Sequence, residues 1–284
     1  MGEKTTIAWC DHTFNPWRGC AKVSTGCEHC YAELQARRNP AVFGTWGPDG
    51  VRVPASERAW KQLESWDRRA AINDDTESVF VGSMCDVFEE RDDLDPLRVR
   101  LCDTIARTDA LQYLLLTKRP EHVTPTVRRA CDTLCKLFFE DPEHWADPLK
   151  LPNVWIGTSV EDQRSADSRG PDSYHLGDMG MKTFLSVEPL VGRISLSMPP
   201  VACAGARCVI IGGESGPRAR PCHVEWIERI VQQCDAADAD VFVKQFGRRP
   251  LWNGKPLRLK DKKGGDWDEW PDELEHLRRR ELPW

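Results

Sequence analysis

The sequence contains no apolar run that approaches the length of a membrane-spanning helix, and its N-terminus carries no hydrophobic signal-peptide segment. It also lacks an excess of positive charge, because 39 basic side chains face 45 acidic ones and the net charge is −6. The first two absences predict a soluble, cytoplasmic protein that does not associate with a membrane. The third argues against tight non-specific binding of DNA, although it leaves room for a local basic groove.

Cysteine and tryptophan, by contrast, are abundant, with twelve of each in 284 residues. The cysteines are too scattered for a secreted disulfide scaffold in a chain of this length. In a reducing compartment a close group of thiols indicates metal binding, whereas isolated cysteines usually serve as small core residues. Most of the tryptophans are expected to pack in the core, with a minority free to stack on a planar ligand.

Six short, nearly continuous apolar runs divide the chain, and each ends in a polar cluster. They lie at residues 78–88, 111–120, 153–163, 182–190, 208–216 and 240–247. Such runs are typical of strands that are buried on both faces of a parallel sheet, and a further strand is expected near residues 5–14.

Several of the gaps between these runs have the apolar spacing of helices. Spacings of three and four predict helices around 94–105, 127–138 and 227–234. The segments between 163 and 182 and after 190 look short and irregular. Alternating strands and helices predict an α/β fold, a β/α barrel of about six or seven parallel strands that is open or closed.

The domain organisation follows from two segments that stand outside this repeat. Residues 1–250 are expected to form the barrel, with a surface insertion at 40–76 that contains a charged, tryptophan-containing helix. Residues 251–284 are charged and tryptophan-rich, and they are interpreted as a C-terminal extension that its tryptophans pack in place, as a lid over the barrel mouth.

The polar clusters all fall where strands end, at the edge where α/β barrels build their active sites. The candidates there are Ser83, Asp86, Lys118, Arg119, Ser159, Glu161, Glu188, Gly212, Gly213, Glu214, Lys244 and Gln245. Lys118, Arg119, Lys244 and Gln245 carry cationic or amide groups that suit a phosphate or carboxylate of a substrate. Solvated rim charges and ordinary turn glycines are the alternatives.

Cys20, Cys27 and Cys30 form the closest thiol group, with the spacing C-x6-C-x2-C directly before a helix-like segment. Zinc is one interpretation, with His29 or His12 as the fourth ligand, and an unliganded turn is another. Three cysteines without a fourth suit an iron–sulfur cluster that leaves one iron open. Asn15 and Trp17, just ahead of this loop, are candidates to line the pocket.

The cysteine stretch resembles the cluster loop of the radical S-adenosylmethionine superfamily. In that superfamily three cysteines hold a 4Fe-4S cluster, and S-adenosylmethionine occupies the open iron. More closely, the chain resembles a family of phage and bacterial proteins of unassigned function that carry this motif. The matching stretches are NPWRGCAKVSTGCEHCYAE, LLTKRP, GTSVEDQ, FLSVEPL, GGESGPRARP, KQFG and KKGGDWDEWP.

The resemblance implies a radical-SAM-type partial barrel, a 4Fe-4S cluster on Cys20, Cys27 and Cys30, and S-adenosylmethionine as cofactor. It also implies a flavodoxin- or ferredoxin-like electron donor. The spacing differs from the usual C-x3-C-x2-C, and the usual Gly-Gly-Glu element after the second strand is replaced here by GSMCD. Ser83 and Asp86 therefore become the positional candidates for the methionyl amine.

Other cofactor contacts follow from the same resemblance. Tyr31 would pack against the adenine, unless it only packs its helix. Ser159 and Glu161 would take the ribose hydroxyls, although capping of the following helix fits them equally. The remaining candidates for cofactor or substrate binding are Glu188, Gly212, Gly213 and Glu214.

Two functions are compatible with these features. The first is an enzyme that generates a 5′-deoxyadenosyl radical to modify or repair a nucleotide or nucleic-acid base, with no catalytic residue assigned. The alternative is a non-catalytic iron–sulfur or zinc-binding module that partners another protein in a phage or bacterial DNA-related system.

Overall fold

Seven parallel strands form the central sheet of the protein. The computed structural model describes residues 5–138, 151–198, 201–202 and 206–284. Its strands are β1 His12–Phe14, β2 Trp17–Arg18, β3 Val53–Pro54, β4 Glu77–Val81, β5 Leu111–Thr117, β6 Val154–Ser159, β7 Lys182–Val187, β8 Ser197–Met198, β9 Val201–Ala202, β10 Cys208–Gly212, β11 Cys222–His223, β12 Asp240–Gln245, β13 Pro250–Trp252 and β14 Lys255–Pro256. Its helices are α1 Tyr31–Arg38, α2 Pro40–Phe43, α3 Glu57–Ile72, α4 Asp95–Arg107, α5 Val123–Phe138, α6 Gln163–Asp178 and α7 Val224–Ala236.

The strand order of the main sheet is β1-β4-β5-β6-β7-β10-β12, and every neighbouring pair is parallel. The predicted α/β fold with about seven parallel strands is therefore confirmed. β1 and β12 are not paired with each other, so the sheet is an open, partial barrel rather than a closed one.

The sheet curls around an aromatic core. Four strand spacings separate β1 from β7, which is about 19 Å in a flat sheet. Nevertheless the ring centroid of Trp9, just before β1, lies 6.2 Å from that of Phe184 on β7. Side chains of β4, β5, β6, β10 and β12 join the same buried cluster. Gly157 on β6 makes this packing possible, since a Cβ there would overlap the Phe184 ring.

Helices cover the outer face of the sheet because each presents one apolar stripe. In α7 the stripe consists of Val224, Ile227, Ile230, Val231 and Cys234, and all five are buried. The predicted helices correspond to α4, α5 and α7, and none of the helices among the described residues is long and apolar enough to cross a membrane.

The expectation of an irregular segment between 163 and 182 is wrong, because α6 occupies Gln163–Asp178. Asp162 caps it in a capping box with Ser165. Its buried residues are Ser165, Arg169, Ser173 and Leu176, so it has no apolar stripe, and it accommodates Pro171 inside. The sequence therefore shows neither the usual period nor the usual composition of a helix.

The two segments expected to lie outside the barrel repeat pack against its core. In the segment 40–76, α3 buries Trp60, Leu63 and Trp66 in the same cluster as β4 and β5. In the segment 251–284, Leu274 and Leu277 join the core under α7. The chain ends with Trp284, which donates a hydrogen bond to the Trp9 carbonyl at 3.1 Å and stacks edge-on against Trp155. Trp284 thus lies near the amino ends of the strands, whereas the carbonyls of Lys263 and Gly264 bond to the backbone just after β12.

Candidate functional site

The cysteine loop, defined as residues 19–30, begins directly after β2, which follows the carboxyl end of β1, and runs into α1. Gly19 starts it with φ of 109°, and a Cβ there would lie 2.8 Å from the Val51 carbonyl oxygen, so glycine is required. Cys20, Cys27 and Cys30 are all free thiols and are partly buried. This is the position, after the first strand of a partial barrel, that the sequence predicts.

For Cys20 and Cys30, the protein environment favours the protonated thiol when no cation is bound. Burial raises the pKa of Cys20 to about 12, and the Asp86 carboxylate adds to this effect. Burial also raises the pKa of Cys30, although the backbone amides of Ala32 and Glu33 oppose the shift. A bound metal cation would reverse this preference, because thiolates rather than thiols are its ligands.

The chemistry of the donor set fits an iron–sulfur cluster. Three thiols lie on one loop, and the first-turn amides of α1 face Cys30, where they would stabilise a thiolate. Among the described residues no three histidine, cysteine or acidic side chains already converge at metal-binding distance. A 4Fe-4S cluster does not need that convergence, because its cysteines bind different irons.

Glu161, two residues after β6, is the centre of a buried charge network that holds the loop. It is fully buried, and its carboxylate accepts a hydrogen bond from Ser24 Oγ at 2.8 Å and one from Lys118 Nζ. Its other oxygen accepts a bond from Arg169 at 3.0 Å. Burial alone would raise the pKa of Glu161, but Lys118 and Arg169 outweigh it and hold this pKa below its ordinary value.

Gly26 allows the loop to sit directly on this carboxylate. A Cβ at position 26 would lie 2.6 Å from the carboxyl carbon of Glu161. Next to this contact, Thr25 Oγ1 donates to the Asp162 carboxylate at 3.1 Å. The loop is therefore fitted to the end of β6 by close packing as well as by charge.

A second attachment comes from the end of β5. The buried guanidinium of Arg119 donates to Asp86 at 2.8 Å and to the carbonyl of Ala21 in the loop at 2.9 Å. The Asp86 carboxylate also accepts bonds from the backbone amides of Phe88 and Lys118 and from the Thr117 hydroxyl. Asp86 therefore has four donors within the chain.

A third attachment comes from the end of β10. Arg220 donates to both carboxylate oxygens of Glu214, at 2.9 and 3.1 Å, and to the carbonyl of Thr25 in the loop at 3.0 Å. His29 Nδ1 lies 3.2 and 3.3 Å from the same two oxygens. Burial would raise the pKa of Glu214, but the bonds from Arg220 and His29 lower it overall.

The end of β4 completes the ring of contacts. Asn15 donates from Nδ2 to Ser83 Oγ at 2.8 Å and accepts from the Met84 amide at 2.7 Å. The exposed Tyr31 hydroxyl donates to the Ser83 carbonyl at 2.7 Å. These bonds fix the segment before the cysteine loop and the start of α1 to one strand end.

Glu188 and Lys244 form a separate, half-buried ion pair at 2.8 Å across the ends of β7 and β12. Gly212 lies against this pair, since a Cβ there would be 2.6 Å from Glu188 Oε1. Gln245 donates to the Gly213 carbonyl at 2.8 Å, which ties β12 to the end of β10. Neither pairing involves the cysteine loop.

Two predicted site residues differ from the rest: Trp17 lies in the outer core, and Ser159 takes part through its backbone carbonyl. Trp17 is fully buried in the outer core, beneath the guanidinium of Arg98 at 5.5 Å. The Ser159 carbonyl accepts a bond from Arg169 at 2.7 Å. The structure thus brings Asn15, Tyr31, Ser83, Asp86, Arg119, Lys118, Glu161 and Glu214 around the cysteine loop, and leaves Trp17 outside.

Sequence reasoning did not identify Ser24, Gly26, Arg169 and Arg220 as parts of the site. Ser24 and Gly26 lie between the cysteines and look like ordinary turn residues. Arg169 lies in α6, whose sequence shows no apolar helical period, and Arg220 follows a Gly-Pro segment. The one usable signal was the number of buried strand-end carboxylates, each of which needs a cationic partner.

The fold and the site define an α/β partial barrel with a three-cysteine loop at the carboxyl edge of its strands. A family model described as a protein of unknown function (DUF5131) matches residues 4–271, so the chain belongs to that family. No curated protein matches the chain.

Three solved structures of two proteins match with low identity. A mutant of spore photoproduct lyase is 12% identical over 80% of this chain and 62% of that one, with a TM-score of 0.44. Streptococcus suis SuiB bound to S-adenosylmethionine is 10% identical over 84% of this chain and 51% of that one, with a TM-score of 0.42. Another SuiB structure covers 68% of this chain and 43% of that one, with a TM-score of 0.39. The chain thus spans less than two thirds of each of these proteins.

Proposed function

We propose that this protein is a radical S-adenosylmethionine enzyme. One observation carries the proposal: three free thiols lie on one loop at the carboxyl edge of a parallel partial barrel, and side chains from β5, β6 and β10 hold that loop in place. Cys20, Cys27 and Cys30 would hold a 4Fe-4S cluster. When bound, the cluster would supply an electron that cleaves S-adenosylmethionine to a 5′-deoxyadenosyl radical.

The chain's own residues divide into two roles under this proposal. Asp86, Glu161 and Glu214 are bonded to cationic partners within the chain, so they position the loop or its strand ends rather than contact the ligand first. Glu188 and Lys244 keep a partly exposed ion pair, and Tyr31 and Ser83 lie nearby at the start of α1 and the end of β4. These four remain candidates for S-adenosylmethionine or substrate.

The substrate we propose is a nucleotide or nucleic-acid base. Support comes from exposed cationic side chains at the carboxyl edge of the sheet, since Arg218 follows β10 and Arg248 follows β12. A low-potential flavodoxin or ferredoxin would supply electrons, and a reducing cytoplasm would keep the thiols free. The aromatic core would exclude water from the inner end of the site.

Anaerobic reconstitution tests the proposal. The purified chain should take up about four irons and about four sulfides, as a cubane cluster requires. With dithionite and S-adenosylmethionine it should release 5′-deoxyadenosine. Cys20→Ala, Cys27→Ala and Cys30→Ala should each abolish both, whereas Cys102→Ala, a partly buried thiol on α4, should change neither.

A non-catalytic module is the second candidate, and one observation favours it. Asp86, Glu161 and Glu214 are all bonded within the chain, which leaves fewer free groups for a cofactor. A chain that binds a cluster but never cleaves S-adenosylmethionine, with a nucleic-acid substrate present, would support this candidate. A chain that keeps one zinc and takes up no iron would overturn the enzyme proposal.

A further inference from the structure

Basic residues are concentrated at the carboxyl edge of β10 and β12, although the whole chain carries a net charge of −6. Three segments contribute them: residues 215–220, 247–249 and 258–263. We call the following seven residues the basic patch: Arg218, Arg248, Arg249, Arg258, Lys260, Lys262 and Lys263. All seven side chains are exposed.

Backbone hydrogen bonds join the three segments into one surface. The Gly247 amide donates to the Lys263 carbonyl at 2.9 Å, and the Arg248 amide donates to the Glu214 carbonyl at 2.8 Å. The Arg249 side chain donates to the Ala219 carbonyl at 3.4 Å. The patch is therefore contiguous although its members are up to 45 residues apart in sequence.

Two acidic side chains beside the patch, Asp261 and Glu269, accept hydrogen bonds from backbone amides. Asp261 accepts bonds from the amides of Lys263, Gly265 and Asp266. Glu269 accepts bonds from the amides of Lys260 and Asp261. These carboxylates shape the turn at 260–266, while Arg218, Arg248 and Lys262 form no ion pair within the described part of the chain.

Arg258 and Lys260 lie on the same side of their segment. Leu257 and Leu259 pack on the core, while Arg258 and Lys260 between and after them face solvent. In an extended segment every second residue repeats at about 6–7 Å along one side. Two cations at this spacing on one side of the segment suit the evenly spaced phosphates of a linear polyanion.

The patch also borders the cysteine loop. Glu214, whose carbonyl accepts the Arg248 amide, contacts Arg220 and His29 through its carboxylate. Arg220 in turn reaches the loop carbonyl of Thr25. A linear ligand bound along the patch would therefore lie close to the cysteine loop.

We propose that the basic patch binds the sugar-phosphate backbone of a single-stranded nucleic acid beside the cysteine loop. That this nucleic acid is also the substrate rests on the proposed function. Its binding to the patch does not. Phosphate contacts of this kind position a strand without reading its sequence. They also make the affinity depend on salt, because each contact releases counterions.

Fluorescence anisotropy with a labelled single-stranded oligonucleotide of about 20 nucleotides tests the patch. The full chain is used without cluster or S-adenosylmethionine, and again after reconstitution. In the double variant Arg248→Glu/Lys262→Glu the binding constant should fall at least about tenfold. The slope of its logarithm against log salt concentration should become less negative by roughly 1.4, as the loss of two contacts requires.

The matched control is Arg58→Glu/Arg68→Glu, which changes the net charge equally on exposed positions of α3, at the other end of the sheet. Its affinity should remain within about twofold, since those cations contact no phosphate. Equal weakening in both variants, or no binding by the unchanged chain, would overturn the proposal. So would unchanged oligonucleotide binding combined with slower reduction by an acidic ferredoxin, which would assign the patch to the electron donor.

The two proposals fail separately. Oligonucleotide binding without iron uptake would support the binding role of the patch and contradict the radical chemistry. Iron uptake and 5′-deoxyadenosine release without oligonucleotide binding would do the reverse.

Discussion

At the scale of single residues, the strand-end carboxylates hold the protein's own loop. A carboxylate offers about four lone-pair positions, and Asp86 receives four bonds from within the chain. Glu161 and Glu214 are likewise paired with two cationic side chains each, with His29 serving as one of them when protonated. Substitutions at these residues should therefore act first on the geometry of the thiols.

Gly26 gives the sharpest test of this idea. In Gly26→Ala the new methyl group would meet the Glu161 carboxyl, which Lys118 and Arg169 hold in place, so we expect the loop to move. The variant should lose most of its iron after reconstitution, and overpacking should lower the free energy of unfolding by about 1–3 kcal/mol. Iron content and urea denaturation measure the two effects.

Gly216→Ala is the control, because a Cβ at that position meets nothing within 4 Å and the residue has no positive φ. It should keep its iron. Full iron content in Gly26→Ala would show that the packing of the loop on Glu161 does not set the position of the thiols.

Glu161 should also contribute to the pH dependence of stability. Its folded pKa lies below the ordinary value of 4.5, so the stabilisation is fully present above pH 4.5 and is lost as pH falls through the folded value. Glu161→Gln removes this contribution and leaves Lys118 and Arg169 without their buried counter-ion. We expect a loss of about 3–5 kcal/mol at pH 7 and a smaller loss at acid pH.

Urea denaturation of both proteins from pH 3 to pH 7 measures the difference. Glu57→Gln is the control, since Glu57 pairs with Arg100 at an exposed site. A difference between wild type and Glu161→Gln that stays constant with pH would contradict a charged, buried Glu161.

At the scale of elements, the sequence predicts what depends on local apolar pattern. Strands such as β6 are buried at every position, and α7 repeats its apolar stripe without a break. The contacts of the cysteine loop could not be predicted in this way, because Ser24 and Glu161 are 137 positions apart. α6 could not be predicted for a related reason, because three of its four buried residues are the polar Ser165, Arg169 and Ser173.

The segment 44–52 gives an element-scale prediction. The buried Arg52 pairs with Glu89 and donates to the carbonyls of Thr45, Gly47 and Gly50, while the Gly47 amide donates to the Cys20 carbonyl at 3.0 Å. Arg52→Met should destabilise the fold by about 3–5 kcal/mol, because Glu89 stays buried without its partner. Arg52→Met/Glu89→Leu should recover much of that stability.

The double variant separates positioning from stability. Because the carbonyls of the segment still lack their donor, we expect its iron uptake to remain low even though the fold is restored. Arg100→Met, which breaks an exposed pair, should affect neither property. Normal iron uptake in the double variant would show that Arg52 matters only for folding.

At the scale of the whole molecule, the two edges of the barrel have separate tasks. The carboxyl edge carries the cysteine loop and the basic patch, while Trp9, Trp155, Phe184 and Trp284 pack toward the amino ends of the strands. The polar strand ends pointed to the first task from sequence alone. The aromatic packing at the amino edge was not predictable, because it depends on the C-terminal segment returning along β12, where the Glu281 amide bonds to the Val241 carbonyl at 2.9 Å.

This separation predicts that Trp284 affects stability without affecting the site. The indole ring of Trp284 packs against Phe184 with ring centroids 5.3 Å apart and donates to the Trp9 carbonyl. Trp284→Ala should therefore lower the free energy of unfolding by about 2–4 kcal/mol, as large-to-small core changes do. Trp284→Phe should lower it less, because a ring remains. Both variants should bind iron and oligonucleotide as wild type does, since neither changes the carboxyl edge. A loss of iron binding in Trp284→Ala, under conditions where urea denaturation shows it fully folded, would mean that the two edges are coupled through the aromatic core.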